Sequence, residues 1–204
     1  VHFMAETAAI LSPAKTVLLP VREAGCPMAD MATAEVLREL KAAHPGALVV
    51  TYVNSSAAVK AESDVCVTSA NAAAIVRRLP PGRPVIFLPD RNLGAWVARE
   101  TGREMILWPG FCPTHMWITR EAVAERKREF PEAEVIIHPE SRLEVIDLAD
   151  AVLSTGGMLR HVRASAARQV IVATELGIIH RLRRENPGKQ FIPVSEQAVC
   201  PNMK

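Results

Sequence analysis

The stretch Pro45-Gly46-Ala47-Leu48-Val49-Val50-Thr51-Tyr52-Val53 decides the fold class. A Pro-Gly turn leads into a largely apolar run rich in β-branched side chains, which reads as a strand. Behind it, Ala34 to Ala43 is built from good helix formers and ends just before the turn. Ahead of it the alternation continues. Apolar runs at Val65 to Thr68, Val85 to Leu88, Met105 to Leu107, Val135 to Ile137, Ala151 to Leu153 and Val170 to Ala173 are separated by helix-forming segments such as Asn71 to Arg78 and Arg120 to Phe130. Pro81-Gly82 and Pro187-Gly188 repeat the pattern of a basic helix end, a turn and then a strand. Short strands alternating with helices predict parallel sheets with crossover helices, an α/β fold.

The 204 residues are 49% hydrophobic and 23% charged, with a net charge of +2. That composition belongs to a globular chain with a real core and excludes a disordered tail. Nearly balanced charge and nine aromatic residues offer neither a basic stripe nor stacking platforms, so nucleic acid is not an expected partner. No apolar run approaches the ~18 residues of a membrane span. A soluble, cytoplasmic protein is expected.

The cysteines reveal an internal repeat. Cys26, Cys112 and Cys200 are each followed by Pro and are separated by 86 and 88 residues, whereas Cys66 is followed by Val and stands outside the series. Superposing Cys26 on Cys112 brings Tyr52 onto His138, Asn54 onto Glu140 and Ser69 onto Thr155. Phe87 to Asp90 matches Val172 to Glu175, and both match Phe3 to Glu6, so a third strand is expected at Phe3 to Glu6. The expected organisation is three pseudo-repeated parallel-sheet α/β domains around a pseudo-threefold axis, the first one truncated: 1–26, 27–112 and 113–204. The same arithmetic leads to the expectation that a segment precedes Val1 and leaves room for another after Lys204.

Three Cys-Pro steps, each delivered from a strand end, would bring three soft thiolates together around that axis. Distant cysteines without Cys-x-x-Cys pairs do not suit a structural zinc site. They fit a 4Fe–4S cluster with one iron left open as a Lewis acid. Three buried, inert thiols are the competing reading of the same spacing.

Several strings carry a resemblance: Met4-Ala5-Glu6-Thr7-Ala8, Gly25-Cys26-Pro27-Met28-Ala29-Asp30-Met31, Thr51-Tyr52-Val53-Asn54-Ser55-Ser56, Trp108-Pro109-Gly110-Phe111-Cys112-Pro113-Thr114-His115, His138-Pro139-Glu140 and Cys200-Pro201-Asn202-Met203-Lys204. Over essentially its whole length the chain resembles the quinolinate synthases. The resemblance implies a transferase of NAD biosynthesis that condenses iminoaspartate with dihydroxyacetone phosphate to quinolinate, phosphate and water. It also implies functional coupling to L-aspartate oxidase, and a 4Fe–4S cluster held by Cys26, Cys112 and Cys200. An N-terminal motif with a substrate-reaching His and Tyr belongs to the family pattern and is not in this sequence, which puts the activity of the chain by itself in doubt.

Imine formation, tautomerisation and dehydration need proton donors and acceptors. His138 and Glu140, two apart at a strand end, project to one side. The resemblance makes them active-site residues, with Glu140 the general base; a capped strand end is the alternative. It likewise places Tyr52, the only Tyr, and Asn54 at the substrate. Ser69 and Thr155 follow hydroxyl residues where helices begin, and suit phosphate or carboxylate binding or plain capping. His115, three residues after Cys112, is carried over as a substrate residue, or else supports the cluster region by hydrogen bonding. Glu6, Asp90 and Glu175 recur before the three cysteines and read as holding helix N-terminal or interdomain contacts. Trp96, Trp108 and Trp117 read as core or interdomain packing residues rather than as part of a cofactor site. An iron–sulfur redox sensor or electron carrier and a metal-free binding protein are the rival functions.

Overall fold

A computed structural model of the protein describes residues 1–203. Lys204, the last residue of the third domain drawn from the sequence, lies outside the described residues. The chain divides into two compact units, Val1–Cys112 with the 3-10 turn Pro201–Met203, and Pro113–Cys200.

The first unit contains α1 (His2–Leu11), α2 (Pro27–Asp30), α3 (Ala34–Ala43), β1 (Leu48–Tyr52), α4 (Ala57–Ala61), β2 (Val65–Val67), α5 (Ala72–Arg78), β3 (Val85–Leu88), α6 (Arg91–Thr101) and β4 (Ile106–Leu107). Its four strands form one all-parallel sheet in the order β2-β1-β3-β4. Alternate residues point to opposite faces, and both faces are buried, as parallel sheets require. Leu48, Val50, Tyr52, Val85 and Phe87 pack with Ala72 and Val76 of α5 and Leu93 and Val97 of α6. Val49, Ile86 and Leu88 pack with Leu37 of α3, Val59 of α4 and Trp108. At Gly94 a Cβ would lie 2.7 Å from Leu107 and 2.9 Å from Phe87, so only glycine lets α6 approach the sheet this closely.

The second unit contains α7 (Pro113–Met116), α8 (Arg120–Glu129), β5 (Glu134–Ile137), α9 (Leu143–Ile146), β6 (Ala151–Val152), α10 (Thr155–Ala164), β7 (Gln169–Ala173), α11 (Gly177–Glu185) and β8 (Gln190–Pro193). Its sheet is again all-parallel, in the order β6-β5-β7-β8. The fold is therefore α/β, with one strand order used twice.

The repeat extends to individual hydrogen bonds. Thr33 caps α3 by accepting from Val36 N at 3.3 Å, and Thr119 caps α8 by accepting from Ala122 N at 3.2 Å. Val49 N donates to Asp64 Oδ2 at 2.7 Å, and Val135 N donates to Asp150 Oδ2 at 2.7 Å. Lys41 Nζ donates to Glu62 O, and Lys127 Nζ to Leu148 O. Each pair of equivalents is 86 residues apart.

Several expectations are corrected. Phe3 to Glu6 is not a strand but lies within α1. A strand must give its N–H and C=O groups to a neighbour; among the described residues no strand pairs with this segment, and the helix satisfies those groups locally. Instead α1 meets α4, where Glu6 Oε2 accepts from Ala57 N at 2.9 Å and Lys60 Nζ donates to Thr7 Oγ1 at 3.0 Å. The cysteines are not delivered from strand ends: Cys112 and Cys200 sit in loops after β4 and β8, and Cys26 precedes α2 in a stretch without strand. Trp108 is core and donates from Nε1 to Met31 O, but Trp117 is 59% exposed and packs no core.

Candidate active site

Strand β5 ends at Ile137, and the Pro139 that follows cannot extend the ladder, so the chain turns with His138 and Glu140 at the carboxyl end of the sheet. That end is where parallel sheets present ligand sites. His138 N donates to Ala173 O at 3.1 Å and Ser141 N donates to His138 O at 3.0 Å, which fixes the turn. His138, Glu140 and His115 are all buried.

The three side chains form one constellation within the second unit. His115 Nδ1 lies 2.9 Å from Glu140 Oε2, and His115 Nε2 lies 2.9 Å from Thr174 Oγ1. Glu140 Oε2 accepts from the Nδ1–H of His115, which leaves Nε2 to accept from the threonine hydroxyl. The rings of His115 and His138 stack with centroids 5.0 Å apart. Glu140 N donates to His138 Nδ1 at 3.4 Å, so the His138 proton resides on Nε2. Burial pushes the His138 pKa down to about 4, against an opposing pull from the Glu140 charge, and His115 lowers it further. At neutral pH His138 is thus a neutral imidazole.

Thr174 was not among the residues expected from sequence; its signal is its place directly after β7 and before Glu175. Ser141, also missed, is wholly buried, and its Oγ has no hydrogen-bond partner among the described residues. Thr155 opens α10, next to Ser154, whose Oγ accepts from Gly157 N at 3.2 Å. Thr155 therefore lies at a helix N-terminus. Cys200 belongs to this unit and is half-buried.

In the first unit, Tyr52 closes β1 and is buried, and Asn54 follows it, half-buried. Cys26 and Cys112 pack against the same apolar cluster as Tyr52 and Met28. Ser69 does not begin a helix: it lies in the turn between β2 and α5, where Asn71 Oδ1 accepts from Thr68 N and Oγ1. The loop that carries Cys112 is tied to the end of β3. Arg91 N donates to Gly110 O at 2.8 Å, and a Cβ on Gly110 would lie 2.5 Å from Pro89 O. Cys66, outside the repeat, is exposed on β2.

Comparison with known proteins adds what geometry does not supply. The family model described as Quinolinate synthetase A protein matches residues 1–204. The chain belongs to this family. It is 57% identical over 204 residues to the quinolinate synthase of Dehalococcoides mccartyi (strain ATCC BAA-2266 / KCTC 15142 / 195), 58% to that of Geotalea uraniireducens (strain Rf4) and 56% to that of Methanoregula boonei. In each case all of this chain aligns with 67% of the relative. Among solved structures it is similar to the E-1-hydroxy-2-methyl-but-2-enyl-4-diphosphate reductase of Plasmodium falciparum, with a TM-score of 0.37 and 14% identity over 87% of this chain and 58% of the other. That likeness is too slight to bear on the site.

For a member of the quinolinate synthetase A family, the donor set of this chain suits the iron–sulfur cluster that the resemblance implies. Cys26, Cys112 and Cys200 are soft thiol donors, half-buried, hence both accessible to a cluster and shielded from bulk water. Each precedes a Pro that opens a short helical turn. Two of them, Cys26 and Cys112, pack against one apolar cluster, and a shell of that kind limits the access of solvent to a metal site. No helix among the described residues is long and apolar enough to cross a membrane.

Proposed function

We propose that this protein is a quinolinate synthase, condensing iminoaspartate with dihydroxyacetone phosphate to quinolinate, phosphate and water. The observation that carries the reading is the buried His115–Glu140 pair stacked beside neutral His138, in a chain whose whole length matches the family. Cys26, Cys112 and Cys200 hold the 4Fe–4S cluster, and the three-domain division 1–26, 27–112 and 113–204 belongs to the same proposal. When bound, the cluster supplies a Lewis-acidic iron that polarises an oxygen substituent of the substrate.

The protein's own residues supply the proton transfers. Glu140 is the general base: its carboxylate takes a proton from carbon next to the imine or carbonyl, and His115, hydrogen-bonded to it, holds its orientation. His138, neutral at working pH, donates a hydrogen bond from Nε2 to a developing oxygen, and the proton that a departing oxygen needs is the one Glu140 has taken up. Tyr52 donates a hydrogen bond to a substrate carboxylate, and Asn54 offers both donor and acceptor. Thr155, at the start of α10, and Ser69 bind the phosphate or the second carboxylate, Thr155 aided by the positive end of the helix. Supply of iminoaspartate by L-aspartate oxidase, and a cytoplasmic location, complete the reading.

The test is anaerobic reconstitution with iron and sulfide, followed by a quinolinate assay with both substrates. Near four irons and four sulfides per chain, with product formed by the protein and lost in Cys112→Ser, is the expected result. A cluster that forms and cycles in redox titration while no product appears, even from a version of relatives' length, would instead favour the electron-carrier reading.

A further inference from the structure

Asp90 and Glu175 occupy equivalent places, each directly after the inner strand β3 or β7 region and before α6 or α11. Asp90 is wholly buried. One of its oxygens, Oδ1, accepts from Leu93 N at 2.7 Å and caps α6; the other, Oδ2, accepts from Cys112 N at 2.9 Å. Glu175 repeats the arrangement. Its Oε2 accepts from Gly177 N at 2.7 Å at the start of α11, and its Oε1 accepts from Cys200 N at 3.4 Å. Two carboxylates, 22 and 25 residues upstream of two Cys-Pro steps, thus each join a helix terminus to a cysteine amide.

We propose that Asp90 and Glu175 are positioning residues for the cluster: each carboxylate hooks the backbone N–H of a ligand cysteine to a rigid helix terminus and so fixes where the thiolate points. The inference rests on the reading of Cys112 and Cys200 as cluster ligands. The physical need is plain. Both cysteines lie in loops rather than in strands, so no sheet ladder holds their backbones, and a ligand held only by a loop is poorly preorganised. A charge-assisted bond from a carboxylate to an amide is among the stronger ones available, and outer-shell bonds of this kind typically govern metal retention. The two hooks are unequal: the Cys112 bond is short and made by a buried carboxylate, whereas the Cys200 bond is long and made by a half-buried one. Glu6, their counterpart before Cys26, uses Oε2 to accept from Ala57 N, and is not included.

Asp90→Asn separates the two jobs. Its side-chain carbonyl can still cap α6, since Asn caps as well as Asp, but its amide group then faces Cys112 N and cannot accept from it. With the anaerobically reconstituted protein, the variant is expected to keep its far-ultraviolet circular dichroism and its cooperative unfolding, with a thermal midpoint lowered by only a few degrees. Its Cys112 amide should exchange hydrogen faster in the apoprotein. It should lose iron to a chelator about 10–100-fold faster than the parent, and its cluster should reduce at a more positive potential because a nearby negative charge is gone. Glu175→Gln should shift the same quantities in the same direction by less. Asp90→Ala serves as the second variant, removing both bonds. Folded Asp90→Asn and Asp90→Ala proteins that exchange the Cys112 amide and lose iron at parental rates would overturn the proposal. If the parent protein itself takes up no iron and sulfide, the cluster reading fails, and the positioning role fails with it.

Discussion

His115 Nδ1 lies 2.9 Å from Glu140 Oε2, with the two residues only 6% and 4% exposed. A pair this well shielded acts as one unit, because either group left alone would be a buried, unsatisfied polar atom. Glu140→Gln is therefore expected to lower turnover by about 10²–10⁴-fold. His115→Gln should lower it as well, and the double variant should be no worse than the more damaging single one. Steady-state rates of the three proteins, at matched cluster content, measure the coupling. Additive losses would mean that the two residues work independently.

Burial of His138 makes stability depend on acid. The free imidazole titrates near 6.5 and the buried one at about 4, so between these values the unfolded chain binds more protons than the folded one. The stabilisation is fully present above pH 6.5, falls as the pH drops, and is lost by about pH 4. The swing attributable to this group is at most about 3 kcal/mol. Urea unfolding at pH 7.5 and pH 5 should show it, and His138→Phe should show a weaker dependence over the same interval.

Asp64 and Asp150 make the same bond, to Val49 N and Val135 N, at the same 2.7 Å. Replacing either by Ala should destabilise its own unit by about 1 kcal/mol. The comparison of interest is between the two, which should agree within the error of a denaturant titration. Unequal values would show that equivalent bonds in the repeat have acquired different surroundings.

Gly110 is held where a Cβ would sit 2.5 Å from Pro89 O. A backbone carbonyl cannot swing away as a flexible side chain would, so Gly110→Ala must displace the loop that leads to Cys112. A cost of about 1–3 kcal/mol is expected, together with weaker iron retention in the reconstituted protein. Thermal denaturation and iron content measure the two effects separately.

Much of the fold was legible in the sequence because a parallel sheet buried on both faces needs continuous apolar strands, and the runs from Ala47 to Val53 and from Val170 to Ala173 have no other economical use. Helix α3 begins and ends at the residues its composition marks, since Thr33 caps it and the Pro-Gly turn follows. Strand β8 was only implied by Pro187-Gly188, because Phe191 and Ile192 are a short apolar signal. Phe3 to Glu6 reads as a strand and folds as a helix, since strand pairing depends on neighbours that a local pattern does not contain. The exposure of Trp117 was hidden for the same reason: hydrophobicity says what would pack, not whether anything faces it.

The sequence by itself determined the α/β class, the 86-residue repeat, the Cys-Pro steps and the strand-end location of His138 and Glu140. These follow from periodicity and spacing, which are local or arithmetic properties of the chain. Only the tertiary structure decided that His115 pairs with Glu140, that Thr174 holds the far side of the same ring, and that Asp90 joins a helix cap to the Cys112 amide. The residues in those contacts are 25, 59 and 22 positions apart. What brings them together is the stacking of loops at the carboxyl end of each sheet, set by strand order and core packing rather than by any neighbouring residue.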